Sequence, residues 1–151
     1  MRGRLVGIYT ATEAGEPMDA LAEVRAIAGV GLEGDRYATQ TGMFSDREGA
    51  GRQVTLIARE AIAGANERVS ISEADARRNL VTEGVDLDAL IGKQFSVGDV
   101  VLVGVRDCPP CSYLEELTRP GVVRALHGAG GLRADVVRAG ILHVGDSITA
   151  V

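Results

Sequence analysis

No stretch of this chain keeps one hydrophobic period for long, and that restricts what it can fold into. Short β-branched and aliphatic runs recur at Leu5 to Tyr9, Leu21 to Val30, Arg52 to Ile57, Asn79 to Gly84, Val100 to Val105 and Leu132 to Ile141. Runs of that length and content read as strands. Helical spacing survives only briefly, at positions 61, 62, 65 and 69, at 87, 90 and 91, at 113, 114 and 117, and at 122, 123 and 126. The sum is seven or eight short strands broken by three or four short helices, with no βαβ alternation and no long internal repeat. Two segments, Phe95 to Leu102 and Leu142 to Thr149, each set a Gly-Asp between short apolar runs, as tight barrel connections do. The expected fold is mainly β with short helices, a partly open antiparallel β-barrel in a single domain over residues 1–151.

Two local expectations follow. Ser72 is placed as an N-cap with Asp75 three residues on, opening a short helix through Arg78. Thr39 to Gly51 is polar and glycine-rich around Met43 and Phe44, a loop expected to order over a ligand.

A net charge of −5 argues against a nucleic-acid binder, which needs a basic face to displace counterions from phosphates. No apolar run approaches the roughly 20 residues of a membrane span. Leu5 to Tyr9 is too short for a secretory signal, so the expected location is cytoplasmic. Lys93 is the sole lysine and every other cation is arginine. Codon bias explains that economically, and an anion site lined by planar guanidiniums explains it chemically.

Both cysteines lie in Arg106-Asp107-Cys108-Pro109-Pro110-Cys111, between a strand-like run and a helix-like run. Pro110 suits the entry of a helix, which puts Cys111 at the helix N-terminus, where unpaired N–H groups favour a thiolate. Four readings of the pair compete. Structural zinc would need His127 and His143, too far apart for a finger-type site. A thioredoxin-like dithiol has the right local order but lacks a βαβ frame. Inert core thiols are common. The fourth reading is a single functional sulfur, Cys111, that ligates a soft metal or carries sulfur, with Cys108 as its neighbour.

The remaining polar clusters are individually weak. Arg77-Arg78-Asn79 reads as well as a solvated corner, and Gly128-Ala129-Gly130-Gly131 is not a dinucleotide loop. Taken together, however, Gly34-Asp35-Arg36-Tyr37, Arg52-Gln53-Val54-Thr55-Leu56-Ile57, the run from Arg78 to Gly92, Pro110-Cys111, Gly131-Leu132-Arg133-Ala134 and Gly145-Asp146 resemble the MOSC family, named for the C-terminal domain of molybdenum cofactor sulfurases. The likeness extends from about Gly31 to the end of the chain, and the size is that of the free-standing bacterial members.

The resemblance implies a pyruvate-kinase-barrel-like fold and a cysteine, Cys111, that handles the molybdenum cofactor or its sulfur. It implies either cofactor sulfuration or, with a partner, reduction of N-hydroxylated compounds. The partners it implies are a pterin cofactor, a cysteine desulfurase and an electron-transfer protein. The pterin's phosphate would need arginines, for which Arg36, Arg52, Arg78, Arg106 and Arg133 are the candidates, and Asn79 would read the pterin's amide edge. Pyridoxal phosphate, associated with the fused sulfurases, is not expected here, since Lys93 sits in a turn. A thiol-disulfide oxidoreductase using Cys108 and Cys111, and a non-enzymatic cofactor chaperone, stand as alternatives.

Overall fold

The structure, a computed structural model, describes residues 2–40 and 49–151. Its strands are β1 (Arg2–Thr10), β2 (Asp19–Leu21), β3 (Glu23–Ile27), β4 (Gly31–Leu32), β5 (Val54–Ala58), β6 (Leu80–Glu83), β7 (Gln94–Val97), β8 (Val100–Asp107), β9 (Leu132–Arg138), β10 (Gly140–His143) and β11 (Ser147–Ala150). Three short helices accompany them: α1 (Arg59–Ala65), α2 (Ser112–Leu117) and α3 (Val122–Ala125), along with a 3-10 turn at Leu87–Leu90. No helix among the described residues is long and apolar enough to cross a membrane.

The main ladder runs β11-β7-β8-β9-β5-β6-β1-β2, and the near end of β1 also pairs with β11, so that seven strands go round a barrel and β2 extends from the far end of β1. A small sheet, β10-β3-β4, lies beside it. Pairing along the ladder is antiparallel except between β5 and β6, which run parallel with Leu56 opposite Leu80. Parallel neighbours need a crossover, and α1 provides it. The sequence reads strand, helix and strand here, from Arg52 to Ile57, at 61 to 69 and from Asn79 to Gly84, but local periods do not show that the two strands pair in parallel.

Side chains alternate across a strand, and here both faces are apolar. Leu56 and Leu80 point into the barrel with Leu5, Phe95, Leu102 and Leu132, whereas Ile57 and Val81 point outward into a second core with Ile62, Leu114, Val122 and Leu126 from the helices. Burying one such aliphatic side chain contributes about 1.5–3 kcal/mol. Cys111 packs against this second core.

Three expectations need correction. Leu132 to Ile141 is two strands, not one. After Arg138, the last residue paired with β8, the chain leaves the barrel, and Gly140 to His143 pair with β3 in the small sheet. The helix expected from Ser72 to Arg78 is a turn. Ser72 and Asp75 do exchange the two bonds of a capping box, at 3.0 and 3.1 Å, but Arg77 adopts φ +56°, which no right-handed helix can contain. The two Gly-Asp segments are not equivalent. The first joins β7 to β8 as a hairpin, while the second passes from β10 in the small sheet to β11 in the barrel, with Asp146 accepting the His143 amide at 2.8 Å. Of the loop expected over Thr39 to Gly51, residues 41–48 lie outside the described residues.

Candidate functional site

Asp35 is completely buried, and its carboxylate accepts the amides of Ala11 and Tyr37 together with the Arg36 guanidinium at 3.1 Å. A buried carboxylate survives only with such a complement of donors. The arrangement pins the Gly34-Asp35-Arg36-Tyr37 turn to the end of β1. Arg36 then donates to the backbone carbonyl of Arg77 at 3.2 Å and stacks on the Tyr37 ring at 4.7 Å. Its reach to Arg77 joins two segments forty-one residues apart.

Arg77, Arg78 and Asn79 form the approach to β6, and each faces a different task. The Asn79 side chain is completely buried. Its carbonyl accepts the Thr55 amide at 3.0 Å and its NH₂ donates to the Tyr9 carbonyl at 3.1 Å, fastening β5, β6 and β1 to one another. Arg78 is turned toward the cysteine loop and donates to the carbonyls of Gly130, Cys108 and Pro109. Arg77, in its left-handed conformation, goes the other way. One terminal nitrogen donates to the Glu16 carbonyl at 2.6 Å, while the other is buried with no hydrogen-bond acceptor among the described residues. Burial, and after it the charge of Arg36, lowers the Arg77 pKa from its ordinary value. A buried guanidinium nitrogen with no acceptor is costly, and an anion is one partner that would relieve it.

Cys111 is the N-cap of α2, directly after Pro109 and Pro110, and is half-buried. The helix is only six residues long. Cys111 lines a narrow cleft with Arg36, Arg77, Arg78, Tyr37, Tyr113, Leu114 and Ala14. Three arginines and no acidic residue line it. The Arg36 guanidinium is paired with Asp35 and that of Arg78 with carbonyls of the cysteine loop, which leaves Arg77 as the lining arginine with a nitrogen that has no acceptor among the described residues. The space open to the centre of a water molecule is about 30 Å³, room for no more than a small terminal group.

The structure therefore brings Cys111, Arg36 and Arg78 together, and adds Arg77, which the sequence offered only as part of a basic corner. Adjacent arginines directly before a buried Asn were the available signal. The other candidates lie elsewhere. Cys108 is 1% exposed and is not among the residues lining the Cys111 cleft, and its amide donates to the Gly131 carbonyl. Arg106 stands opposite Arg133 across β8 and β9, and these two donate to the carbonyls of Ala50 and Gly51, respectively. Arg52 follows Gly51 in the same region, and none of the three lines the Cys111 cleft. Arg106 also has a buried nitrogen without an acceptor among the described residues, and its other terminal nitrogen donates to the Ala50 carbonyl. Among the described residues, no three His, Cys, Asp or Glu side chains converge as metal ligands.

Comparison with known proteins adds two findings. The family model described as MOSC domain matches residues 41–149, a span that includes Arg77, Arg78 and both cysteines, while Arg36 and Tyr37 precede it. No curated protein gives a significant match. Among solved structures, the YUAD protein from Bacillus subtilis superposes with a TM-score of 0.80 at 20% identity, covering 98% of this chain and 94% of that one. YiiM from Geobacillus stearothermophilus superposes at 0.72 with 17% identity over 99% of this chain and 75% of that one, and YiiM from Escherichia coli at 0.69 with 20% identity over 100% and 70%. At such identities the likeness speaks for the fold.

Proposed function

This chain belongs to the MOSC domain family, a family associated with the molybdenum cofactor, and from that membership we propose that the Cys111 cleft binds the cofactor by its anionic end and presents the Cys111 sulfur to its metal. The observation that carries the proposal is that Arg77, whose buried Nη2 has no acceptor among the described residues, lines the same cleft as a half-buried cysteine. The residues fit the group. A thiolate suits a soft metal, and a guanidinium fork suits a phosphate.

In this reading Arg77 takes the anion. Arg36, itself paired with Asp35, holds the Arg77 backbone, and Tyr37 and Tyr113 wall the cleft. Leu114 keeps water from the sulfur's buried side. When bound, the cofactor would supply redox-active metal chemistry that the protein's own side chains lack. Sulfuration would draw sulfur from a cysteine desulfurase, and reduction of an N-hydroxylated compound would draw electrons from a partner protein, in both cases through Cys111. A dithiol mechanism is less well supported, since Cys108 is sequestered in the protein interior.

The test is metal and pterin analysis of protein from a cofactor-producing host. The expected result is pterin and molybdenum in equal amounts in the wild type and their loss in both Arg77→Met and Cys111→Ser. Wild-type protein with neither, accompanied by disulfide-reducing activity that needs both cysteines, would overturn the proposal.

A further inference from the structure

The Cys108-Pro109-Pro110-Cys111 loop has an unusual problem of attachment. Prolines 109 and 110 have no N–H, so between the Cys108 amide and the Cys111 amide the loop offers its surroundings only acceptors. A segment of that kind can be held firmly only by a donor from elsewhere. The Cys108 amide is fixed by the Gly131 carbonyl at 2.8 Å. Beyond it, the donors come from a single side chain, Arg78, whose Nη2 reaches the carbonyls of Cys108 and Pro109 at 3.0 and 3.2 Å while its Nε reaches that of Gly130 at 2.8 Å.

Resting on the reading that Cys111 is the working sulfur, we propose that Arg78 is the positioning residue for Cys111, a clamp whose planar fork fastens the proline-rich loop to the barrel and to the glycine segment before β9. Three features support the assignment. Arg78 is only 8% exposed and donates to three backbone carbonyls, so these bonds are shielded from water. The glycine segment is shaped for close approach: a Cβ on Gly130 would strike the Cys108 carbonyl oxygen and the Pro110 ring, and one on Gly131 would strike the Leu56 carbonyl oxygen. Finally, Arg78 is itself anchored, because Asn79, next in the chain, is locked into β5 and β1. The rigidity of three strands thus passes through one guanidinium to the loop that ends at Cys111. A lysine, with one compact ammonium on a flexible stem, cannot span three carbonyls set in two segments.

The test uses full-length Arg78→Lys and Arg78→Ala and reads alkylation of each cysteine by iodoacetamide with peptide mass spectrometry. In the wild type Cys111 should react and Cys108 should be protected. Both variants should expose Cys108 by about tenfold or more, the effect of a loosened local unit. Millimolar guanidinium should restore protection in Arg78→Ala, and methylammonium should not, a rescue that general destabilisation would not show. Unchanged Cys108 protection in Arg78→Lys, or no rescue by guanidinium, overturns the proposal. Should Arg78→Ala fail to fold, Arg78→Lys decides alone, with its thermal midpoint recorded to separate local loosening from global unfolding. The labelling needs no cofactor, so a wild type without pterin would sink the cofactor reading while leaving this one standing.

Discussion

Arg36 donates to the backbone carbonyl of Arg77 at 3.2 Å while its charge presses on the Arg77 guanidinium and, after burial, lowers that group's pKa. The contact that shapes the cleft is therefore also the one that makes its free donor uncomfortable. Binding of an anion to the native state alone should raise the thermal midpoint of the wild type. Inorganic phosphate or molybdate added during thermal unfolding should do so measurably, and Arg77→Met should abolish the shift. In the absence of anion, Arg77→Met should be no less stable than the wild type, since it removes an unsatisfied donor whose burial costs about 1–3 kcal/mol.

Asn79 should behave as a keystone of the barrel. Its carbonyl and NH₂ face an amide and a carbonyl on different strands, so Asn79→Asp removes the donor to Tyr9 and sets a buried carboxylate against its carbonyl oxygen. The expected loss is about 3 kcal/mol or more, with Asn79→Ala somewhat milder, measured by urea unfolding.

Gly131 has φ +122°, and a Cβ there would meet the Leu56 carbonyl oxygen. Gly131→Ala should cost about 3 kcal/mol through backbone strain and overpacking. Because its carbonyl holds the Cys108 amide, the variant should also make Cys108 more reactive toward alkylation.

Tyr9 donates to Glu73 at 3.0 Å, and Arg59 binds the other oxygen of the same carboxylate at 2.9 Å. Burial first, then the bond to Glu73 and its charge, raise the Tyr9 pKa above 10.0, with Arg59 opposing. The native state holds the phenol proton more tightly than the unfolded chain. Its contribution is thus fully present below pH 10.0 and is lost as pH rises from there through the raised native value. Alkaline unfolding followed by circular dichroism should be shallower in Tyr9→Phe than in the wild type across that window.

Much of the barrel was legible because its strands carry their signal locally. Val54 to Ala58 and Val100 to Asp107 are β-branched runs that have few other uses, and Pro109-Pro110 marks the start of α2 whatever lies around it. The errors fell where a local pattern was sound but a distant partner prevailed. Ser72 and Asp75 form their capping box, yet Arg77 turns left-handed with Arg36 on its carbonyl, and the helix never starts. Leu132 to Ile141 reads as one strand, yet β3 claims its last residues.

The site divides along the same line. Sequence alone determined that a sulfur stands at a helix entry next to two prolines, that the chain is rich in arginine, and that its ordered motifs are those of the MOSC domain family. Local chemistry suffices for such conclusions, because a proline's missing N–H and a strand's side-chain period act over a few residues. Only the tertiary structure decided which arginines share the cleft. Arg77 and Arg78 are neighbours of one residue type that both line the cleft, but Arg77 keeps a nitrogen with no acceptor among the described residues while Arg78 donates to the carbonyls of the cysteine loop. Hydrogen-bond partners thirty and more residues away make that choice, and no local pattern in the chain encodes them.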